Sequence, residues 1–314
     1  GSPRRGASAG DAVGDLESDP ASQVDQCVAR LQRSKGTGRI SFKSIGNSHD
    51  SRTAIEDLEQ SGCIRLRMPR PEPRVAPSAV IINTAGGLTD GDEITLAATW
   101  APGTMAAITS QAAERVYRAR AEPARIETTL SVGAGATGLW LPQETILFDG
   151  GRYRRNVCVE VAAGGCLLAC ESLIVGRRAM GERVTSGFVH DGWRVRYDAH
   201  LVLADALRLD GDLESLLDRP GIGRGARALA TVLLVGASAE ACLTPARDII
   251  ERTGATAGAS LVGPCLVLRL LAADGARLRR DLTGILDGLL RALGRTHPES
   301  RDGVEMALPR LWHF

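Results

Sequence analysis

Three times in the middle of the chain a glycine turn leads into an apolar strand that runs on to a carboxylate. Pro102-Gly103 leads into Met105-Ala-Ala-Ile-Thr-Ser110 and reaches Glu114. Gly133-Ala-Gly135 leads into Leu139-Trp-Leu141 and reaches Glu144, and Gly164-Gly165 leads into Leu167-Leu-Ala-Cys170 and reaches Glu171. Each turn comes after another strand pattern, at 93–100, 126–132 and 156–161, and the turns recur about every thirty residues. A two-strand unit of this size cannot bury its apolar face alone, so the repeat predicts stacking. The expected fold is mainly β with a few α-helices, its β-layers stacked in a solenoid or β-helix-like arrangement. In such a stack Glu114, Glu144 and Glu171 are expected in register along one edge. A row of like charges is costly unless arginines or a cation neutralise it.

The densest polar chemistry lies in Trp140-Leu-Pro-Gln-Glu-Thr-Ile-Leu-Phe-Asp149, followed by Gly150-Gly-Arg-Tyr-Arg-Arg155. The apolar run reads as a buried strand and Asp-Gly-Gly as the turn after it. A carboxylate at each end of a buried strand needs partners. Glu144 and Asp149 are therefore acceptors for arginines such as Arg118, Arg152 and Arg154, or part of a polar site.

Elsewhere, strands are predicted at 39–43, 62–68, 79–84, 93–100 and 228–235, with one or two more in 259–271. Three further strands are predicted at 187–190, 193–197 and 201–204, then a turn at 208–212. Helices are expected at 245–252, with Thr244 as N-cap and Gly254 just past the end, and at 274–293. The second carries Leu278, Leu282, Ile285, Leu289 and Leu293 on one face. The aromatic tail at 308–314 is expected to dock on the body or on a partner. Residues 1–35 read as an extension with at most a short helix at 24–31, and residues 36–314 as one β-rich domain.

Composition narrows the function. A net charge of +1 from 38 basic and 37 acidic residues points to no nucleic acid and no membrane surface. No apolar run is long enough to span a bilayer and no signal-peptide pattern opens the chain, so a cytoplasmic protein is expected. The seven cysteines include no Cys-x-x-Cys pair. Cys166 and Cys170 share a strand face and read as buried thiols. The five histidines never fall at two-ligand spacing. The glycine loop at 85–92 lacks the Lys-Ser/Thr of a phosphate-binding loop and reads as a turn between strands. Glu144, Asp149 and Glu171 leave open a carbohydrate-active enzyme on a β-helix scaffold, although only 4% of residues are aromatic.

Six ordered segments then carry a resemblance. They are Asn83-Thr-Ala-Gly-Gly-Leu-Thr-Asp-Gly-Asp92, Thr109-Ser-Gln-Ala-Ala-Glu-Arg-Val-Tyr-Arg118, the Trp140–Gly150 stretch, Arg178-Ala-Met-Gly-Glu182, Asp205-Ala-Leu-Arg-Leu-Asp-Gly211 and Leu308-Pro-Arg-Leu-Trp312. Together they resemble the urease accessory protein UreD family, also called UreH, over roughly residues 36–314. Asp90 stands where the family has Gly, Arg115 where it has Lys, and Gly151 where it has Ala. The resemblance implies a β-rich, helix-poor scaffold for nickel insertion rather than an enzyme. It implies binding to the urease apoprotein on one side and to UreF on the other, with UreG recruited through UreF. Homodimerisation within the UreD-UreF-UreG complex is a further expectation. Nickel would pass transiently, with no cofactor tightly bound. The expected path residues are Glu144, Glu171, Asp149, Glu114 and Asp92, because oxygen ligands hold a divalent cation weakly enough to release it.

Overall fold

Period-two alternation of apolar and polar residues builds most of this protein. The computed structural model describes residues 33–46, 51–70, 72, 75–296 and 304–313. Its strands are β1 (Lys35–Ile45), β2 (Arg52–Gly62), β3 (Ile64–Arg67), β4 (Ser78–Asn83), β5 (Glu93–Trp100), β6 (Met105–Ser110), β7 (Glu114–Val116), β8 (Ala124–Val132) and β9 (Thr137–Leu141). They continue with β10 (Thr145–Leu147), β11 (Arg152–Val161), β12 (Cys166–Val175), β13 (Gly187–Tyr197) and β14 (His200–Gly211). Helix α1 (Leu213–Asp218), β15 (Ala228–Val235), α2 (Leu243–Thr253), β16 (Thr256–Val262), β17 (Cys265–Ala272) and α3 (Gly275–Thr296) complete the order.

The strands form two sheets. In the first, β14-β13-β11-β8-β5-β1-β2, the run from β13 to β1 is parallel and an antiparallel strand closes each edge. In the second, β16-β17-β15-β12-β9-β6-β4-β3, the strands β12, β9, β6 and β4 are parallel. Short β7 and β10 extend its ladder beside β12. The chain thus winds from one sheet to the other and back, giving a β-solenoid of about four turns, as the repeat predicts.

The repeated glycine turns have a backbone reason. Gly103, Gly135 and Gly164 sit at φ 72°, 64° and 76°, the left-handed region where a Cβ crowds the following carbonyl. A Cβ on Gly135 would meet nothing within 4 Å, so only the backbone strain remains. Gly135→Ala is accordingly expected to lower unfolding free energy by about 1–2 kcal/mol, read from the midpoint of a urea titration at unchanged slope.

Two apolar cores result. One lies between the sheets and holds Phe42, Trp100, Leu130, Leu167 and Trp193. The other lies between the second sheet and α2, α3 and the tail. Strand β12 is covered on both faces, which is why it reads as an almost unbroken apolar run. Cys166 and Cys170 share its outer face, where burial pushes the Cys166 thiol up to about 12. All five apolar positions predicted for α3 are fully buried. Asp274 caps that helix, its Oδ1 accepting from the Arg277 amide at 2.8 Å.

Several expectations change. The stretch 187–204 holds two long strands instead of three short ones, joined through Asp198 and Ala199 at positive φ. The turn expected at 208–212 is the end of β14, with Asp212 accepting from the Ser215 amide as N-cap of α1. Helix α2 begins at Leu243, so Thr244 lies inside it rather than capping it, while Gly254 closes it at φ 62°. Strand β2 has no clear alternation and is mostly exposed; as an edge strand it is held by its pairing to β1. The short helix expected at 24–31 lies outside the described residues.

Candidate functional site

Which carboxylates enter the interior is decided at the corner between the two halves of the second sheet. Met105, Thr137 and Cys166 stand in register, and so do Glu114, Thr145 and Leu173. The same distance is therefore spanned by nine, eight and seven residues (114 − 105, 145 − 137, 173 − 166). Because side chains alternate faces, losing one residue at the corner reverses the face of every later residue in that strand. Glu114 and Glu171 consequently point between the sheets, while Glu144, opposite Ala113 rather than Glu114, points outward. The expected single row of three acids does not form.

Three of the five predicted acids serve the fold. Glu144 pairs with Arg279 of α3 at 3.1 Å; Arg279 also donates to the Leu311 carbonyl and stacks on Trp312 at 4.4 Å. Asp149 accepts from the Thr185 and Ser186 amides at 2.9 and 3.1 Å and pairs with Arg118. Asp92 accepts from the Ser34 and Thr89 amides at 2.7 and 2.8 Å. Neighbouring Asp90 is likewise a backbone staple. Burial opposes its charge, but the amides of Ala121 and Glu122, with Arg33, hold its carboxyl below the usual range. Of the arginines expected to pair with acids, Arg118 does so; Arg152 and Arg154 instead lie over the Phe188 ring.

The interior centres on Arg155, which is 4% exposed. Its guanidinium pairs with Glu171 across the sandwich and with Asp191 on the adjacent strand. Arg155 Nε donates to Asp191 Oδ1 at 3.0 Å and Nη1 to Thr145 Oγ1 at 3.2 Å. Trp140 Nε1 donates to Glu171 Oε1 at 2.9 Å. Burial pushes the Glu171 carboxyl up to about 7, with Asp191 adding to the effect against the opposing pull of Arg155 and Trp140. Burial works against the charge of Arg155, and its two carboxylate partners override it, so the guanidinium stays ionised.

Two cavities meet at this triad. A cavity of about 70 Å³ lies on one side, lined by Glu114, Thr128, Gln143, Thr145, Arg155 and Glu171. One of about 20 Å³ lies on the other, lined by Glu171, Asp191, Asp205 and Thr231 among apolar residues. Room for one water takes roughly 10–15 Å³, so the first has space for several and the second for about one. At the outer end of the first cavity Asn83 Nδ2 holds both Glu114 oxygens at 3.1 Å, and burial raises that carboxyl. At the far end Asp205 pairs with Arg269 of β17 at 2.5 Å and reaches the surface. Thr128 Oγ1 is buried without a hydrogen-bond partner in the wall of the larger cavity. An orphaned hydroxyl beside carboxylates fits a hydrated cation better than it fits an apolar core. Among the described residues no three His, Cys, Asp or Glu side chains converge as a metal-ligand set.

The sequence reading names none of Arg155, Asp191 and Asp205 as a site residue, although Arg155 ends the 150–155 stretch and Asp205 opens the 205–211 motif; each also leaves a trace in its strand. Arg155 falls on the same parity as buried Tyr153 and Val157, and Asp191 on that of Val189 and Trp193. Asp205 shares parity with half-buried Leu203 and Leu207. A charge on the apolar parity of a strand must be paired inside.

This geometry defines a class first: a β-solenoid with a line of acids and one arginine through its interior. Residues 34–304 match the family model described as UreD urease accessory protein. Over 294 residues the chain is 40% identical to the urease accessory protein UreD of Xanthobacter autotrophicus, covering 94% of this chain and 95% of that one. Against the urease accessory protein UreD of a Chelativorans species it is 41% identical over 292 residues, covering 92% and 98%. A Rhizobium etli relative of the same name is 41% identical over 287 residues, covering 91% and 98%. The chain belongs to the UreD family of urease accessory proteins, and it is a maturation factor rather than an enzyme. The carbohydrate-active alternative falls with that finding, and also because Glu144 and Glu171 face opposite sides of their sheet.

Proposed function

We propose that this chain passes nickel to the urease apoprotein through its own interior, along Glu114, Glu171, Asp191 and Asp205. The observation that carries the reading is that Glu171 stands in the wall of both cavities, so whatever moves between them passes its carboxylate. Oxygen donors suit cargo that must leave again, whereas a His or Cys set would retain it. A carboxyl that binds its proton near neutral pH can give that proton up to a divalent cation, so the exchange halves the charge the cation adds to the sandwich. Arg155 keeps Glu171 and Asp191 from repelling each other until cargo arrives. In this reading the partners are urease, UreF and, through UreF, UreG, and the compartment is the cytoplasm. Among the described residues no helix is long and apolar enough to cross a membrane.

The test is reconstitution from apo-urease, UreF, UreG, GTP, nickel and bicarbonate, with and without this chain. Urease activity and urease-bound nickel are both measured. Both are expected to depend on the chain, and Glu114→Gln/Glu171→Gln is expected to lower both at least about tenfold while the complex still assembles on gel filtration. Nickel loading at the wild-type level by the double variant would sink the path.

A further inference from the structure

A second concentration of charge lies on the outer face of the first sheet, away from the interior. Arg125 of β8, Arg154 of β11, His190 of β13 and Arg208 of β14 stand in one register row across four neighbouring strands. At roughly 4.8 Å per strand the row is about 14 Å wide. Arg152 and Arg194 flank it. The guanidiniums of Arg152, Arg154 and Arg208 lie 5.2, 5.8 and 5.7 Å from the centroid of one ring, Phe188, and bury it to 6% exposure. Contact with the ring gathers these three cations over one spot of the sheet.

The row is under-neutralised. Asp210 reaches Arg208 at 3.4 Å, Glu127 accepts from Asn156 at 2.7 Å and Glu93 is taken up by Lys35 at 2.8 Å. Among the described residues Arg125, Arg152, Arg154 and Arg194 have no ion-pair partner. His190 registers the field: burial first, then repulsion from Arg154, Arg208 and Arg194, holds it below its usual range. Like charges gathered on a flat sheet weaken the isolated fold and call for a counter-charge from outside.

We propose that this arginine row is a docking surface for an acidic segment of a partner protein. Its width exceeds what one small anion spans, so several carboxylates must meet it together. A nucleic acid fits less well: the one aromatic ring here is covered rather than offered to bases, and acids interrupt the row.

The probe is a fluorescent glutamate-rich peptide titrated against the full chain, with a DNA duplex of equal charge as competitor. The peptide is expected to bind more weakly as NaCl rises. At about 0.5 kcal/mol per exposed pair, Arg125→Gln/Arg154→Gln/Arg208→Gln is expected to weaken binding by about tenfold or more. Arg125→Gln alone touches no ring, keeps the fold, and is expected to weaken it about twofold. Arg39→Gln/Arg196→Gln, on the same sheet but off the row, is expected to change nothing. Exposed Cys158, two pleat repeats and about 13 Å along β11 from Arg154, supplies a footprint. Bound peptide is expected to slow its alkylation, followed at that site by mass spectrometry. Equal binding by Arg125→Gln, the triple variant and the wild type, unprotected Cys158, or tighter binding of the DNA would each overturn the proposal.

Discussion

Replacing Arg155 by methionine is expected to cost about 3–5 kcal/mol of unfolding free energy, a large share of the roughly 5–15 kcal/mol that holds a typical domain. The cost does not come from the ion pairs as such, because burying three charged groups already carries a desolvation penalty. It comes from what remains: Glu171 and Asp191, 4% and 9% exposed, facing each other without their shared cation, a cost felt in full above about pH 7 where Glu171 is ionised. A triple variant, Arg155→Met/Glu171→Gln/Asp191→Asn, is therefore expected to regain most of the loss, since no unpaired charge stays inside. Urea titrations of the single and triple variants decide the matter. A single variant as stable as wild type would show that the guanidinium does not hold the two sheets' acids together.

The second large effect is on pH dependence. Glu171 has a folded pKa pushed up to about 7 from 4.5, so the fold prefers the protonated carboxyl. Its contribution to stability is then complete below about pH 4.5 and is lost as the pH rises through about 7. The stability lost over that interval is on the order of 3 kcal/mol. Glu171→Gln mimics the protonated form and is expected to remove this part of the slope, becoming the more stable of the two at pH 8. Unfolding midpoints measured every half pH unit from 5 to 8.5 test this. Parallel curves for the two proteins would place the titrating group elsewhere. On the proposed path, the same sign means that cargo would compete with a proton at Glu171, and nickel loading in the reconstitution is then expected to slow as the pH falls below 7.

The stacking of turns is legible in the sequence because two local rules agree: glycine where the backbone turns left-handed, and alternation in the strands between. The helices are legible for the same reason, as the five-residue apolar stripe of α3 shows. The candidate site is only half legible. Glu114 and Glu171 emerge from the repeat, but Glu144 falls on the wrong side because its corner is one residue shorter than that of Glu114. No local propensity encodes that deletion; it emerges only from the register of Thr145 against Glu114. Asp92 and Asp149 look like cargo ligands in one dimension, yet loop amides distant in sequence already occupy their oxygens. Arg155 and Asp191 are the converse case, polar residues on apolar parity whose partners lie on other strands.

The indole of Trp312 donates to the carbonyl of Leu141 at 3.0 Å, across 171 residues of chain. At about 5–20 residues per second, β9 leaves the ribosome roughly 10–30 s before the residue that covers it. For most of that interval the outer side of the second sheet has neither α3 nor the tail over it, and Leu139 and Leu141 lack their cover. A nascent solenoid in this condition is a target for holding chaperones and for pairing with other unfinished copies. Production yield should therefore respond to translation speed across the segment from β9 to the tail, even when the finished protein is unchanged.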